Sequence, residues 1–162
     1  MKTSQELIAF LDEHQITFQR WDHPPVFTVE QVNDLAIDMP GIHTKNLFLR
    51  DKRATRLFML VAPGDKPVDL KKVERLIGVN HLSFASAERL DRNLGIGAGS
   101  VSVLALVNDE AGNVQVVFDR EVWQARAITA HPLVNTATLV ISKEDLERFL
   151  EFTRHSPIVI DL

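Results

Sequence analysis

Lys45-Asn46-Leu47-Phe48-Leu49-Arg50-Asp51-Lys52-Arg53-Ala54-Thr55-Arg56-Leu57-Phe58-Met59-Leu60-Val61-Ala62 holds two apolar runs around a charged, turn-like stretch. Lys45–Leu49 and Arg56–Ala62 therefore read as the two strands of a hairpin. A second hairpin is expected downstream, where Val101–Val107 and Val114–Asp119 flank Asn108-Asp109-Glu110-Ala111-Gly112-Asn113. Shorter strands are expected at Ile16–Trp21, Thr136–Ile141 and Ile158–Ile160. Helices announce themselves by their starts. Thr3 and Glu6 form a capping box for a helix to about His14, and Thr28 and Gln31 form another for a short helix to about Leu35. Asp69 opens a helix to Ile77, Ser86 one to Leu94, and Ser142 with Asp145 one to Phe152. Gly95 stands where a left-handed residue ends the helix before it. Strands come mostly in hairpins and helices do not alternate strictly with them. The fold class is α+β with an antiparallel or mixed sheet, not a doubly wound parallel sheet.

The chain has 162 residues, the length of one domain, so residues 1–162 are expected to fold as one unit. It contains no cysteine, which excludes disulfides, a thiolate nucleophile and Cys-based metal sites. It contains no tyrosine, which excludes a phenolic acid or oxyanion donor. Lys and Arg number 18 against 22 Asp and Glu, a net charge of −4. A protein that coats nucleic acid with its whole surface is basic, because phosphate neutralisation supplies the affinity. Any nucleic-acid partner here is expected to be touched locally. No signal peptide is visible, and no apolar run approaches 18 residues, so a cytoplasmic protein without a membrane span is expected.

Gly95-Ile96-Gly97-Ala98-Gly99-Ser100 has the spacing of a nucleotide fingerprint in the wrong context. A dinucleotide loop follows a strand and opens a helix, whereas this one follows a helix. It reads either as a turn or as a backbone wall whose N–H groups stabilise an oxyanion. The six histidines are His14, His23, His43, His81, His131 and His155, and none pairs at metal-ligand spacing. No metal and no cofactor are expected. No serine has the setting of a nucleophile elbow. His131 precedes Pro132 at the entry to a strand. Lys45 heads a strand, either solvated or at a pocket rim aimed at a phosphate or carbonyl. Arg50 to Arg56 carries four positive charges and one negative, either a solvated tip or a contact for a nucleic-acid backbone.

His23-Pro24-Pro25-Val26-Phe27-Thr28, Gly41-Ile42-His43-Thr44-Lys45-Asn46-Leu47-Phe48-Leu49-Arg50-Asp51, His131-Pro132-Leu133-Val134-Asn135-Thr136-Ala137-Thr138 and the ending Pro157-Ile158-Val159-Ile160-Asp161-Leu162 together carry a resemblance. The chain resembles, over nearly its whole length, the bacterial trans-editing proteins related to the insertion domain of prolyl-tRNA synthetase. Within that superfamily, which includes the YbaK-type Cys-tRNA(Pro) deacylases, it looks most like the ProX branch, which hydrolyses mischarged Ala-tRNA(Pro). The resemblance implies a mixed, barrel-like sheet surrounded by helices. It also implies substrate-assisted ester hydrolysis without a protein nucleophile, with the acceptor end of aminoacylated tRNA(Pro) as partner and prolyl-tRNA synthetase as a second one.

By the same resemblance Lys45 binds the terminal adenosine phosphate or holds the acceptor end in register, Asn46 receives the α-ammonium through its carbonyl oxygen, and His131 hydrogen-bonds the terminal ribose or orders the water. Backbone amides around Gly97, Gly99 and Ser100 face the ester carbonyl. Thr44 and Phe27 complete the substrate-binding set. One departure bears on selectivity. Relatives commonly carry prolines where Ala98 and Val103 stand, so this loop is less constrained. A deacylase for cysteine, serine or threonine is therefore the alternative within the class. A non-catalytic tRNA- or synthetase-binding module is the alternative outside it.

Overall fold

The computed structural model describes residues 1–26, Gln31, Asp34 and 39–162. Along the chain run α1 (Ser4–Glu13), β1 (Gln19–Asp22), β2 (Thr44–Arg50), β3 (Leu57–Pro63), α2 (Leu70–Ile77), β4 (Ser83–Phe84), α3 (Ala87–Leu94), β5 (Val114–Asp119), α4 (Arg120–Trp123), β6 (Ala127–Ala130), β7 (Ala137–Ser142), α5 (Lys143–Phe152) and β8 (Ile158–Ile160). The helix starts are those their caps announce. The side chains of Thr3, Asp69, Ser86 and Ser142 each accept a backbone N–H of the first turn, satisfying donors that have no partner inside the helix. Gly95 closes α3 at φ +65°. The short helix expected from Thr28 to Leu35 lies outside the described residues.

The hairpin forms as expected, with β2 and β3 antiparallel from Thr44↔Pro63 to Arg50↔Leu57. The second hairpin does not. Val103–Asn108 is a 3-10 helix, and β5 instead runs parallel to β3 and to β8. Five consecutive residues, Val103 to Val107, are buried. An apolar run without periodicity does not distinguish a strand from a buried helical turn. Ser102 decides it locally, since its hydroxyl accepts the Leu104 N–H and its carbonyl the Ala105 N–H.

The result is a five-stranded mixed sheet, β4-β2-β3-β5-β8, and a three-stranded antiparallel sheet, β1-β7-β6. This is the α+β class expected, but the strands do not close into a barrel. Among the described residues the sheets meet at a seam with a single bridge, Ile42↔Ile128, and a pair of threonines, with no continuous ladder between them. Gly41 makes the seam possible. It sits at φ +90°, and a Cβ there would lie 2.8 Å from the Ala127 carbonyl oxygen.

Strand β3 is buried along its whole length, and its side chains divide by the two-residue period of a strand. Leu57, Met59 and Val61 enter the larger core with Phe48, Val103, Leu106 and Ile128. Phe58 and Leu60 enter a smaller one with Leu49, Val73 and Leu82, beneath α2. Each such side chain, fully buried, contributes about 1.5–3 kcal/mol relative to exposure. A strand buried on both faces holds its neighbours in a fixed register, and that register places the first residues of β2.

Candidate active site at the seam

Three segments converge where β2 begins. The first is His43-Thr44-Lys45-Asn46. Thr44 is buried and docks on β6, with its N–H donating to Thr129 Oγ1 at 3.2 Å and its own hydroxyl donating to the Thr129 carbonyl at 2.6 Å. The Thr129 hydroxyl lies 3.3 Å from His43 Nδ1. The second segment is the loop after β3. Gly64 N–H donates to the His43 carbonyl at 2.9 Å, and a Cβ on Gly64 would lie 2.2 Å from His43 Cδ2. Glycine is required there for close approach. Lys45 Nζ donates to the Lys66 carbonyl. Lys66 is itself anchored by Asp119 at 2.8 Å and Glu121 at 3.4 Å. Lys45 thus has a fixed position and no carboxylate partner among the described residues, which leaves its charge for a ligand.

The third segment is the loop between β6 and β7. His131 Nδ1 lies 3.0 Å from the Ala137 carbonyl. A carbonyl only accepts, so Nδ1 carries the proton and Nε2 of the neutral ring is an acceptor. Burial lowers the His131 pKa from its ordinary value. The Ala137 carbonyl opposes this and His23 adds to it. Burial likewise lowers His43, with His131 as the second cause and Asp65 opposing. His23 lies 6.4 Å from His131 between ring centroids, with its Nε2 2.8 Å from Thr138 Oγ1 and its Nδ1 2.9 Å from the Pro24 carbonyl. Leu133, in the same loop, sits at φ +66°. That conformation is costly for a branched side chain and persists only where the surroundings enforce it.

The structure divides the expected residues between two faces of β2. Successive strand residues point oppositely. Lys45 lies with His43 over the Gly64–Lys66 turn. Asn46 points to the other side, where its carbonyl oxygen accepts the Val103 N–H at 2.8 Å. That oxygen, expected to take an ammonium, already has one donor. Gly97, Gly99 and Ser100 lie beyond it, with Ala98–Ser100 forming a single 3-10 turn. The Ser100 N–H closes that turn on the Gly97 carbonyl at 3.0 Å. The glycine loop also meets the His131 loop, since a Cβ on Gly99 would lie 3.7 Å from the Asn135 amide nitrogen. Phe27 lies outside the described residues.

Sequence reasoning missed His43, His23, Gly64 and Thr129. His23, His43 and His131 are far apart in the chain, and only the seam unites them. One local signal was present, in that His43 directly precedes Thr44-Lys45. Among the described residues, no group of three or more His, Asp or Glu is placed to hold a metal, and no helix is long and apolar enough to cross a membrane.

Residues 23–149 match the aminoacyl-tRNA editing domain family. Over 162 residues the chain is 38% identical to the prolyl-tRNA editing protein ProX of Acetoanaerobium sticklandii, covering 100% of this chain and 99% of that protein. It is 37% identical over 158 residues to prolyl-tRNA synthetase associated domain-containing protein 1 of Danio rerio, covering 96% and 85%. A crystal structure described as that of a candidate trans-editing enzyme for prolyl tRNA synthetase superposes with a TM-score of 0.72 at 18% identity, covering 100% and 98%. At that identity the last likeness is one of fold.

Proposed function

The chain belongs to the aminoacyl-tRNA editing domain family, and from that premise we propose that it deacylates mischarged tRNA(Pro) in trans, with alanine as the amino acid removed. The substrate is an ester between the amino acid and the terminal ribose. Water adds to the carbonyl carbon, the C–O bond to the ribose breaks, and the released ribose oxygen takes a proton. Such an ester is already activated, so positioning and charge stabilisation suffice without a protein nucleophile.

His131 is the observation that carries this reading. Its ring is half-buried, held neutral, and fixed with Nε2 as an acceptor. An acceptor in that state takes a hydrogen bond from a ribose hydroxyl or from the attacking water. Lys45 supplies a positioned point charge for the terminal phosphate. Asn46 keeps its amide N–H groups and one lone pair for the amino-acid end. With the Ser100 amide engaged in its turn, Gly97 and Gly99 are the loop's donors toward the ester oxygen. Thr44 holds the strand start in place through Thr129. His43, wedged between Gly64 and Thr129, backs His131. The protein works in the cytoplasm, where aminoacyl-tRNA is made, with prolyl-tRNA synthetase as its partner.

The test is hydrolysis of Ala-tRNA(Pro), Pro-tRNA(Pro) and Cys-tRNA(Pro) by the wild type and by Lys45→Ala. Alanine is released fastest, and Lys45→Ala loses most of that rate while remaining folded. Preferential release of cysteine would replace alanine as the substrate. Stable esters in all three cases would refute the deacylase.

A further inference from the structure

The hairpin tip between β2 and β3 takes no part in the site above, yet its charge is organised. Residues 50–81 carry eight Lys and Arg against four Asp and Glu, a net +4 in a chain of −4. The remainder of the chain is correspondingly acidic. Within this stretch the carboxylates and the cations are treated differently. Asp51 accepts the N–H groups of Thr55 and Arg56 and the Thr55 hydroxyl. These bonds, the Arg56 amide first, hold it ionised below its ordinary pKa. Asp69 caps α2 by accepting the Lys71 N–H. Glu74 accepts the Leu82 N–H at 2.7 Å. Three of the four acids are thus turned onto backbone donors.

The cations are mostly not so engaged. Of the eight in this stretch, all but Lys66 form no salt bridge among the described residues; outside it Arg20, Arg92, Arg120, Lys143 and Arg148 form one, and Lys2, Lys45, Arg89, Arg126 and Arg154 do not. Arg50 donates only to the carbonyls of Asp51 and Lys52. Arg56 is steadied by Gln115 at 2.8 Å and by the Phe58 ring. Lys52, Arg53, Arg56 and Lys71 are exposed. The Lys52 N–H fastens the tip to the Asn80 carbonyl, so the tip and the turn after α2 form one surface. Two adjoining hollows of about 500 and 550 Å³ share Lys52. One also takes in Arg53 and Arg56, and the other Arg50 and Lys71.

We propose that this surface binds the phosphate backbone of the tRNA substrate, at a place remote from the esterified end. The proposal rests on the deacylase reading for the identity of the RNA. Lys45 and Arg50 lie five residues apart on β2, so at roughly 3.3 Å per residue the patch begins about 17 Å from the site. That separation puts it against the stem of the tRNA and not against the terminal nucleotide. Phosphate contacts position a nucleic acid without reading its sequence. A local cluster of this kind supplies that grip while the acidic remainder of the surface repels non-specific RNA.

The experiment measures binding of uncharged tRNA(Pro), and of a CCA trinucleotide, between 50 and 300 mM salt. The proteins are the wild type, Lys52→Ala/Arg53→Ala/Lys71→Ala, and Arg126→Ala as a surface-cation control. Removing one cation from a phosphate lowers the salt slope by about 1, so the triple variant shows a slope smaller by about 2–3 on tRNA and binds it about tenfold or more weakly at low salt. Its binding of the trinucleotide follows the wild type, and Arg126→Ala binds both RNAs as the wild type does. An unchanged slope and affinity on tRNA would overturn the surface, whatever the wild type hydrolyses. So would patch-dependent binding of anionic lipid vesicles with none of tRNA. Because the RNA is uncharged, a wild type that binds through the patch and hydrolyses no ester would overturn the deacylase reading alone.

Discussion

Replacing Gly64 by alanine tests whether His43 is fixed against the turn after β3. The new Cβ would lie 2.2 Å from His43 Cδ2, 2.9 Å from Nε2 and 3.3 Å from Cγ. Carbon atoms rest at about 3.5–4.0 Å, so the ring must retreat by more than about 1 Å. It is not free to do so, because the Thr129 hydroxyl lies at its Nδ1 and the Gly64 N–H holds its carbonyl. Overpacking of this kind costs about 1–3 kcal/mol. In a chain of this size each kcal/mol lowers Tm by about 2–4 °C. Gly64 has no left-handed φ, so in the absence of the ring the same substitution stabilises slightly, by about 0.4–1 kcal/mol through the unfolded chain. The assay is denaturant unfolding of wild type, Gly64→Ala, His43→Ala and the double variant. The expected result is a loss in the wild-type background, none in the His43→Ala background, and a coupling of about 1–3 kcal/mol between the two sites. Deacylation falls with Gly64→Ala, since displacing the ring disturbs its contact with Thr129, which docks the start of β2. Equal effects in both backgrounds, or a stabilised single variant, would refute the steric argument.

Val103→Pro removes the N–H that Asn46 Oδ1 accepts at the first position of a 3-10 helix, where proline geometry is tolerated. The expected cost is about 1–3 kcal/mol, with a changed ratio of alanine to cysteine released from tRNA(Pro). Burial lowers the pKa of both His131 and His43. The unfolded chain therefore takes up protons first as pH falls, and the stability present above about pH 6.5 is lost as pH drops toward the folded-state values. Urea midpoints between pH 5 and 8 measure that slope, which shrinks in His131→Gln. Buried Asp109 lies 2.9 Å from buried His155. Burial alone would raise its pKa, but hydrogen bonds from His155, Val114 and Asn113 together hold it below the ordinary value. Its contribution is present above about pH 4 and is lost below. His155→Ala removes one of the three donors to the buried carboxylate, and a loss of about 1.5–3 kcal/mol is expected in a thermal melt at neutral pH.

What was legible in the sequence was local. Capping side chains fixed four helix starts, because an Ncap residue bonds within its own turn. The β2–β3 hairpin was legible because its two apolar runs are adjacent. Val103–Val107 was not, since an apolar run without periodicity fits a strand and a buried helical turn alike, and the Asn46 side chain that accepts the Val103 N–H lies 57 residues upstream. Strand β6 escaped notice because Ala127-Ile128-Thr129-Ala130 has neither alternation nor bulk, and only pairing with β7 and Ile42 makes it a strand. The same division holds at the site. Lys45, Asn46 and His131 were singled out through motifs that stand whole in the chain, and the structure places them around the start of β2 and the loop after β6. His43 and Gly64 meet through the pairing of β2 with β3 and His43 meets Thr129 across the seam, whereas the opposite facing of Lys45 and Asn46 follows from strand alternation.

The seam also orders events during folding. The β2–β3 hairpin closes a short loop and can form early, whereas Thr44 and Thr129 are 85 residues apart, and long loops close late. A partly folded chain therefore holds Lys45 on a formed hairpin while His131 is still elsewhere. Such a chain can attract RNA but lacks the acceptor that the reaction needs. On the role proposed for His131, hydrolysis becomes available only once the two sheets have met.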